Sequence, residues 1–169
     1  IGPEGMRALM RALVHTDVEH LDVGCNIIGA EGTRAIAELI NSTRLKSLNL
    51  ACNNIGLRGE RSGVAALAKA LETNDTLEIL NLRGNALHTD CAQDLADVLL
   101  EETSLVQLNV GYNELYDNGA WEIAEALEDN QSLLGLDFQR NEITDTGASN
   151  LANTLSMNTI IQEIDLRSN

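Results

Sequence analysis

Two carboxylates, Asp137 and Asp165, stand 28 residues apart in matching surroundings, LLGLDFQRN (133–141) and IQEIDLRSN (161–169). Paired acids can divide general-acid and general-base duty between them. Cys25 and Cys52 also share a setting, VEHLDVGCN (18–26) and LKSLNLACN (45–53), and His20 lies close to the first thiol, an arrangement that invites a soft metal ion. A third group is aromatic and basic. Tyr112, Tyr116 and Trp121, three of the four aromatic residues, fall within ten positions, and Arg83, Gln139, Arg140 and Arg167 come from similar stretches on either side. Tyr, Trp and Arg are the side chains enriched at the energetic centres of protein interfaces.

The first two groups weaken in context. Asp137 and Asp165 belong to a column that reads Asp22, Asn49, Asn81, Asn109, Asp137 and Asp165, so an acid or its amide there is a rule of this sequence, and no catalytic residue is assigned. Cys25, Cys52 and His20 give three ligands at best, one short of an ordinary structural zinc site; they read as free thiols, with no metal. The sequence contains no phosphate loop, dinucleotide fingerprint or nucleophile elbow, and no cofactor is expected. His15 and His88 are isolated. Three Asn-x-Ser/Thr triplets, at Asn41, Asn74 and Asn130, recur where helical segments end and read as part of the same regularity.

That regularity is L-x-x-L-x-L-x-x-N. It occurs six times, starting at residues 18, 45, 77, 105, 133 and 161, at intervals of 27, 32, 28, 28 and 28. A fixed period in this range is the signature of stacked repeats. Within LVQLNV, Leu108 and Val110 fall on one side of a short strand, and Gln107, Asn109 and Gly111 on the other. Each strand is followed by a stretch with apolar residues at i, i+3, i+4 and i+7, such as Ala120, Ile123, Ala124 and Leu127, the spacing of one helical stripe. Strand and helix alternating at so short a period dictate parallel strands on one side and parallel helices on the other. Strands stack about 4.8 Å apart and helices about 10 Å apart, so the stack must curve with its strands inside.

The recurrent asparagine sits where the chain leaves the strand and turns inward, and where backbone groups lose their ladder partners. An amide side chain carries both donor and acceptor. Asn26, Asn53, Asn85, Asn113, Asn141 and Asn169 are therefore read as a structural ladder joining successive turns. Gly5, Gly32, Gly63, Gly119 and Gly147, with Cys91 in one unit, mark the entry to each helix, where a positive φ or a close backbone approach favours glycine.

The strand motif, together with NEITDTGASNLANTL (141–155) and NELYDNGAWEIAEAL (113–127), resembles the leucine-rich repeat superfamily over the whole chain, and specifically its ribonuclease-inhibitor-like class. Members of that class include ribonuclease inhibitor, the sensing region of NOD-like receptors, the GTPase-activating protein for Ran and the C-terminal part of tropomodulin. The resemblance implies an α/β fold: a curved right-handed α/β solenoid, or horseshoe segment, with a concave strand face and convex helices. It also implies a non-enzymatic scaffold that binds another protein through the concave face and strand-exit edge. The residues assigned to that surface are Arg83, Asn109, Tyr112, Tyr116, Asp137, Gln139, Arg140 and Arg167. The alternatives within the class are a GTPase-activating regulator resembling the Ran activator, of whose catalytic motif nothing carries over, and an architectural module of a cytoskeletal or axonemal assembly. Residues 1–169 read as a single domain of about six units.

Two irregularities stand out. The third unit holds about four extra residues in NIGLRGERSGVAALAKAL, where Gly59 and Gly63 both qualify as the helix-entry glycine. An extra helical turn or a bulged loop accounts for them; a partner-specific bump carrying Arg58, Glu60 and Arg61 is the functional alternative. Both ends fall inside the pattern, with Ile164 and Leu166 facing outward, so a longer parent protein and self-association through uncapped ends are expected.

The chain carries 26 acidic and 11 basic residues, a net charge of −15. Such a surface repels phosphate, and nucleic acid is excluded as a partner. The acids gather on the helix side (Asp94, Asp97, Glu101, Glu102, Glu122, Glu125, Glu128, Asp129) and read as a solvated face. No apolar run approaches the roughly 18 residues of a membrane span, and three cysteines without a dense framework suggest reduced thiols and a cytoplasmic setting.

Overall fold

The computed structural model describes residues 1–101 and 103–169; Glu102, one of the acids placed on the helix side above, lies outside them. Strands and helices alternate along the chain: α1 (Pro3–Leu13), β1 (His20–Asp22), α2 (Gly29–Leu39), β2 (Ser47–Asn49), α3 (Ser62–Leu71), β3 (Ile79–Asn81), α4 (Thr89–Leu100), β4 (Gln107–Asn109), α5 (Tyr116–Leu127), β5 (Gly135–Asp137), α6 (Asp145–Leu155) and β6 (Glu163–Asp165). The strands form one parallel sheet in chain order. Its register pairs identical repeat positions, Leu48 with Leu80, Leu80 with Leu108 and Leu108 with Leu136. The result is the curved α/β solenoid anticipated from the period.

The core is a row of like layers between sheet and helices. Leu48, Leu50, Leu80, Leu82, Leu108, Val110, Leu136 and Phe138 are buried beneath the strands, opposite Ile36, Val64, Leu67, Leu95, Ile123 and Leu127 of the helices. The stripe fades at the last helix: Leu151 is buried, but Ala148 and Ala152 of α6 are exposed because no further helix covers them. At the same end Leu166 is 36% exposed, whereas Ile164 is only partly so.

Close approach accounts for the helix-entry glycines, and positive φ does not, since these residues lie inside the first turns of their helices. A Cβ on Gly63 would stand 2.7 Å from the Cα of Ala30 in the preceding unit. Gly59, by contrast, has φ +75° and open space around it, so Gly63 is the packing glycine of that unit and Gly59 belongs to the extra residues.

Those extra residues do not lengthen a helix. They form a loop with a short 3-10 turn at Leu57–Gly59, and α3 has ten residues against eleven or twelve in the others. The loop carries Arg61 to α4, where its Nε and Nη2 each donate to a carboxylate oxygen of Asp94 at 2.7 Å. Asp94 is therefore no part of a solvated face. Asp94 is 8% exposed because an arginine from the preceding unit, which the repeat period would not have placed there, lies across it.

A second set of amides closes the helix-to-strand turns. The Oδ1 of Asn74 accepts from Leu77 N, that of Asn130 from Leu133 N and that of Asn158 from Ile161 N, at 2.8, 2.8 and 2.9 Å. Asn130 Nδ2 donates back to Leu99 O, and Asn158 Nδ2 to Leu127 O. Two of the three Asn-x-Ser/Thr triplets, those at Asn74 and Asn130, thus start at buried turn residues.

Candidate functional site at the strand-exit edge

Three consecutive features shape the edge where each strand leaves the sheet. The Asp/Asn column makes the first. The Oδ1 of Asp22, Asn49, Asn81, Asn109, Asp137 and Asp165 each accepts from the backbone N–H two residues on, at 2.8–3.0 Å. Only a side chain with a short acceptor makes this turn, which explains why acid and amide alternate freely there. Asp137 Oδ2 also takes a hydrogen bond from Asn109 Nδ2 at 2.8 Å. Asp165 is held by Arg167, whose guanidinium and backbone N–H keep its carboxyl below the usual carboxylate range. The two carboxylates are engaged separately in their turns.

The residue before each recurrent asparagine makes the second feature. Cys25, Cys52, Gly84, Tyr112, Arg140 and Ser168 all have positive φ, between 51° and 67°. A left-handed backbone at an L-residue costs about 1–2 kcal/mol relative to the right-handed form, and only Gly84 escapes it. The kink is imposed by the turn that follows.

That turn is the third feature. Asn85 Nδ2 donates to Leu50 O and to Leu82 O at 2.9 Å, and its Oδ1 accepts from Asn53 N at 2.8 Å. Asn113 repeats the pattern with Leu82 O, Val110 O and Asn85 N, and Asn141 with Val110 O and Phe138 O. Asn53, Asn85 and Asn141 are fully buried and Asn113 nearly so. At the ends the set thins: the Oδ1 of Asn26 accepts from the amino terminus of Ile1, and Asn169 remains exposed.

On this scaffold the edge acquires an aperiodic cluster. The guanidinium of Arg83 lies 3.7 Å from the ring centroid of Tyr112, and that of Arg140, from the next unit, lies 5.3 Å from the same ring. Arg83 Nη1 also donates to Gln139 Oε1 at 2.9 Å and stands 3.7 Å from Asp137 Oδ2. Five of the residues assigned from sequence, Arg83, Asn109, Tyr112, Asp137 and Gln139, are thus linked by direct contacts, with Arg140 stacked at the rim. Arg167 turns back onto Asp165 of its own unit.

The aromatic group does not stay together. Tyr112 belongs to the edge. Tyr116 opens α5 with φ 56°, 40% exposed, and its hydroxyl pKa is raised chiefly by the charge of Glu142, then by burial and Glu114. Trp121 lies on the helix side, 48% exposed, beside Glu125, Glu128 and Asn153. The ten residues from Tyr112 to Trp121 cross from strand exit to outer helix face, and nearness along the chain does not become nearness in space.

A cavity of about 450 Å³ opens beside Tyr112, lined by Gly84, Ala86, Glu114, Arg140 and Glu142 among others. Sequence reasoning did not find Glu114 or Glu142 as lining residues. Their signal was a shared place one residue after the asparagine, Asn113 and Asn141, where the motif leaves the side chain free.

Cys25 and Cys52 are exposed in adjacent turns, and burial first, then the neighbouring Cys25, raises the pKa of Cys52. Burial pushes the Cys91 thiol up to about 11. Among the described residues no cluster of three or more His, Cys, Asp or Glu is disposed to hold a metal ion, and no helix is long and apolar enough to cross a membrane.

Residues 14–37, 41–59 and 129–152 match the family described as Leucine Rich repeat. No curated protein matches the sequence. Among solved structures, leiomodin-1 actin-binding site 2 is similar at 20% identity and a TM-score of 0.68, over 81% of this chain and 78% of that one. The tropomodulin C-terminal domain of Caenorhabditis elegans is similar at 20% identity and a TM-score of 0.66, over 92% of each chain. The motif, the parallel register and these likenesses agree on the fold, a leucine-rich-repeat solenoid of the ribonuclease-inhibitor-like kind.

Proposed function

We propose that the protein is a recognition module that binds another protein at the strand-exit edge and adjoining concave face, around Arg83, Tyr112, Gln139 and Arg140. The observation that supports this is the contrast within the edge itself. The Asp/Asn column and the asparagines that follow it serve the same internal turn in unit after unit, whereas the two guanidinium groups on one tyrosine ring occur once and satisfy no repeat function. Stacking an exposed guanidinium on a ring contributes only about 0.5–1 kcal/mol, too little to be needed for folding and enough to hold the groups ready for a partner.

An architectural role in a cytoskeletal assembly is the second reading, and its support is the fold likeness to leiomodin-1 actin-binding site 2 and to the tropomodulin C-terminal domain. Co-sedimentation with filamentous actin and gel filtration with monomeric actin test it directly. The primary reading is tested by quantitative capture from cell extract with the wild type and with the triple variant Arg83→Ala, Tyr112→Gly, Arg140→Ala. Loss of the same captured partners from the variant, at unchanged circular dichroism, is the expected result. Capture that is indifferent to all three changes overturns the assignment of the edge, and stimulation of hydrolysis by any of a panel of GTP-loaded small GTPases overturns the non-catalytic reading.

A further inference from the structure

Resting on the recognition reading above, we infer that the cavity beside Tyr112 takes a single side-chain carboxylate, Asp or Glu, from an extended segment of the partner. Arg140 carries the argument. Its guanidinium is placed by the Tyr112 ring, and no carboxylate lies within ion-pair distance of it among the described residues. The planar fork of arginine matches a carboxylate through two parallel hydrogen bonds, and these charge-assisted bonds are about twice as strong as neutral ones. Arg83 contributes a second positive charge on the same ring, fixed by Gln139 and Asp137.

Two other lining residues limit how much negative charge can enter. Glu114 and Glu142 line the same cavity as Arg140, and Glu114 is in turn 3.2 Å from His88 Nδ1. A polyanion, whether a run of acids or a phosphodiester backbone, meets these carboxylates as soon as it extends past the first charge. Of the remaining lining, Gly84, Ala86 and the Tyr112 ring are small or apolar, Asn113 is nearly buried in its own turn, and Ser168 adds one small polar side chain. Small and apolar neighbours around one acid therefore fit the space, and the chain's net charge of −15 adds a long-range penalty for more.

The test uses end-blocked heptapeptides of alanine and leucine with a central Glu, binding followed by fluorescence anisotropy and by the arginine Nε–H resonances of the intact chain. The central-Glu peptide should bind at least about tenfold more tightly than its central-Gln twin, as two charge-assisted hydrogen bonds require. Arg140→Gln should erase that difference, and Tyr112→Gly, which relieves a left-handed backbone and so spares the fold, should weaken it severalfold. Three results overturn the inference: equal binding of the Glu and Gln peptides, equal binding of the Gln peptide once its C-terminal carboxylate is unblocked, and tighter binding of hexaglutamate. If the triple variant loses its captured partners while Glu and Gln peptides bind alike, recognition at this edge stands and the carboxylate assignment falls. If the triple variant keeps its partners, the recognition reading itself falls.

Discussion

The buried asparagine turn and the Arg83–Tyr112–Arg140 edge are neighbours in sequence, Tyr112 preceding Asn113 directly, and both link successive units through polar groups. They differ in everything else. Asn53, Asn85, Asn113 and Asn141 are buried and make the same set of backbone hydrogen bonds in each unit. The arginine–tyrosine contacts are exposed at the rim, involve side chains alone and occur once. Removing a buried amide strands several backbone groups with no water to replace it, whereas removing a rim cation returns its partners to solvent. In a repeat protein, polar groups that recur belong to the scaffold, and those that break the recurrence are where a partner can be read.

That comparison breaks or sharpens under substitution. The largest effect is expected from Asn85→Ala, which strands Asn53 N and takes one of two amide donors from Leu50 O and from Leu82 O, which keep those of Asn53 and Asn113, and should cost about 2–4 kcal/mol. Denaturant unfolding should show it, with a broadened transition if the stack separates at that turn. A cost under 1 kcal/mol would mean that the ladder is decorative.

Arg61→Ala comes next. It leaves the Asp94 carboxylate buried without its guanidinium, but Arg61 itself is half exposed, so solvent screening limits the cost to about 1–2 kcal/mol. Asp94→Ala should cost a similar amount, and the double variant clearly less than the sum, the mark of a coupled pair. Additive losses would show that the inserted loop reaches α4 without binding it.

Asp117 supplies a pH-dependent case. Hydrogen bonds from Thr144 Oγ1 and N and from Gly147 N hold its carboxyl below the ordinary value near 3.8. A depressed folded-state pKa means that its contribution is fully present above the unfolded value and is lost as pH falls through the folded one. Asp117→Asn should therefore lower the melting temperature at pH 7 and narrow the gap to wild type as the pH drops below 4. A constant gap from pH 7 to pH 2 would remove Asp117 from the docking of α6.

The smallest effect is expected from Tyr112→Gly. The loss of stacking and the relief of φ 55° oppose each other, so stability should stay within about 1 kcal/mol of wild type. Strong destabilisation here would make Tyr112 part of the scaffold.

The period, the strand faces and the apolar stripes were legible in the sequence because one rule was written six times, and repetition averages away the exceptions. The Asp/Asn column was legible as a rule but not as a turn, since composition shows which side chains are tolerated and not which N–H they accept from. Gly84 was the sole trace of the left-handed position before each asparagine, too little to infer a conformation that Tyr112 and Arg140 also adopt. Asp94 misled because an acid on a helix among other acids looks solvated, and its partner lies on the irregular loop, where the period supplies no register. Trp121 misled because distance along the chain says little where the backbone crosses from sheet to helix within a few residues.

The left-handed position has a bearing on how such an edge can change over time. Cys, Cys, Gly, Tyr, Arg and Ser occupy it, all without a branch at Cβ. Val, Ile or Thr would be a severe outlier at that φ, so new specificities at this rim must be drawn from unbranched side chains, and long ones that reach past the turn, such as tyrosine and arginine, are the most informative letters left in that short alphabet.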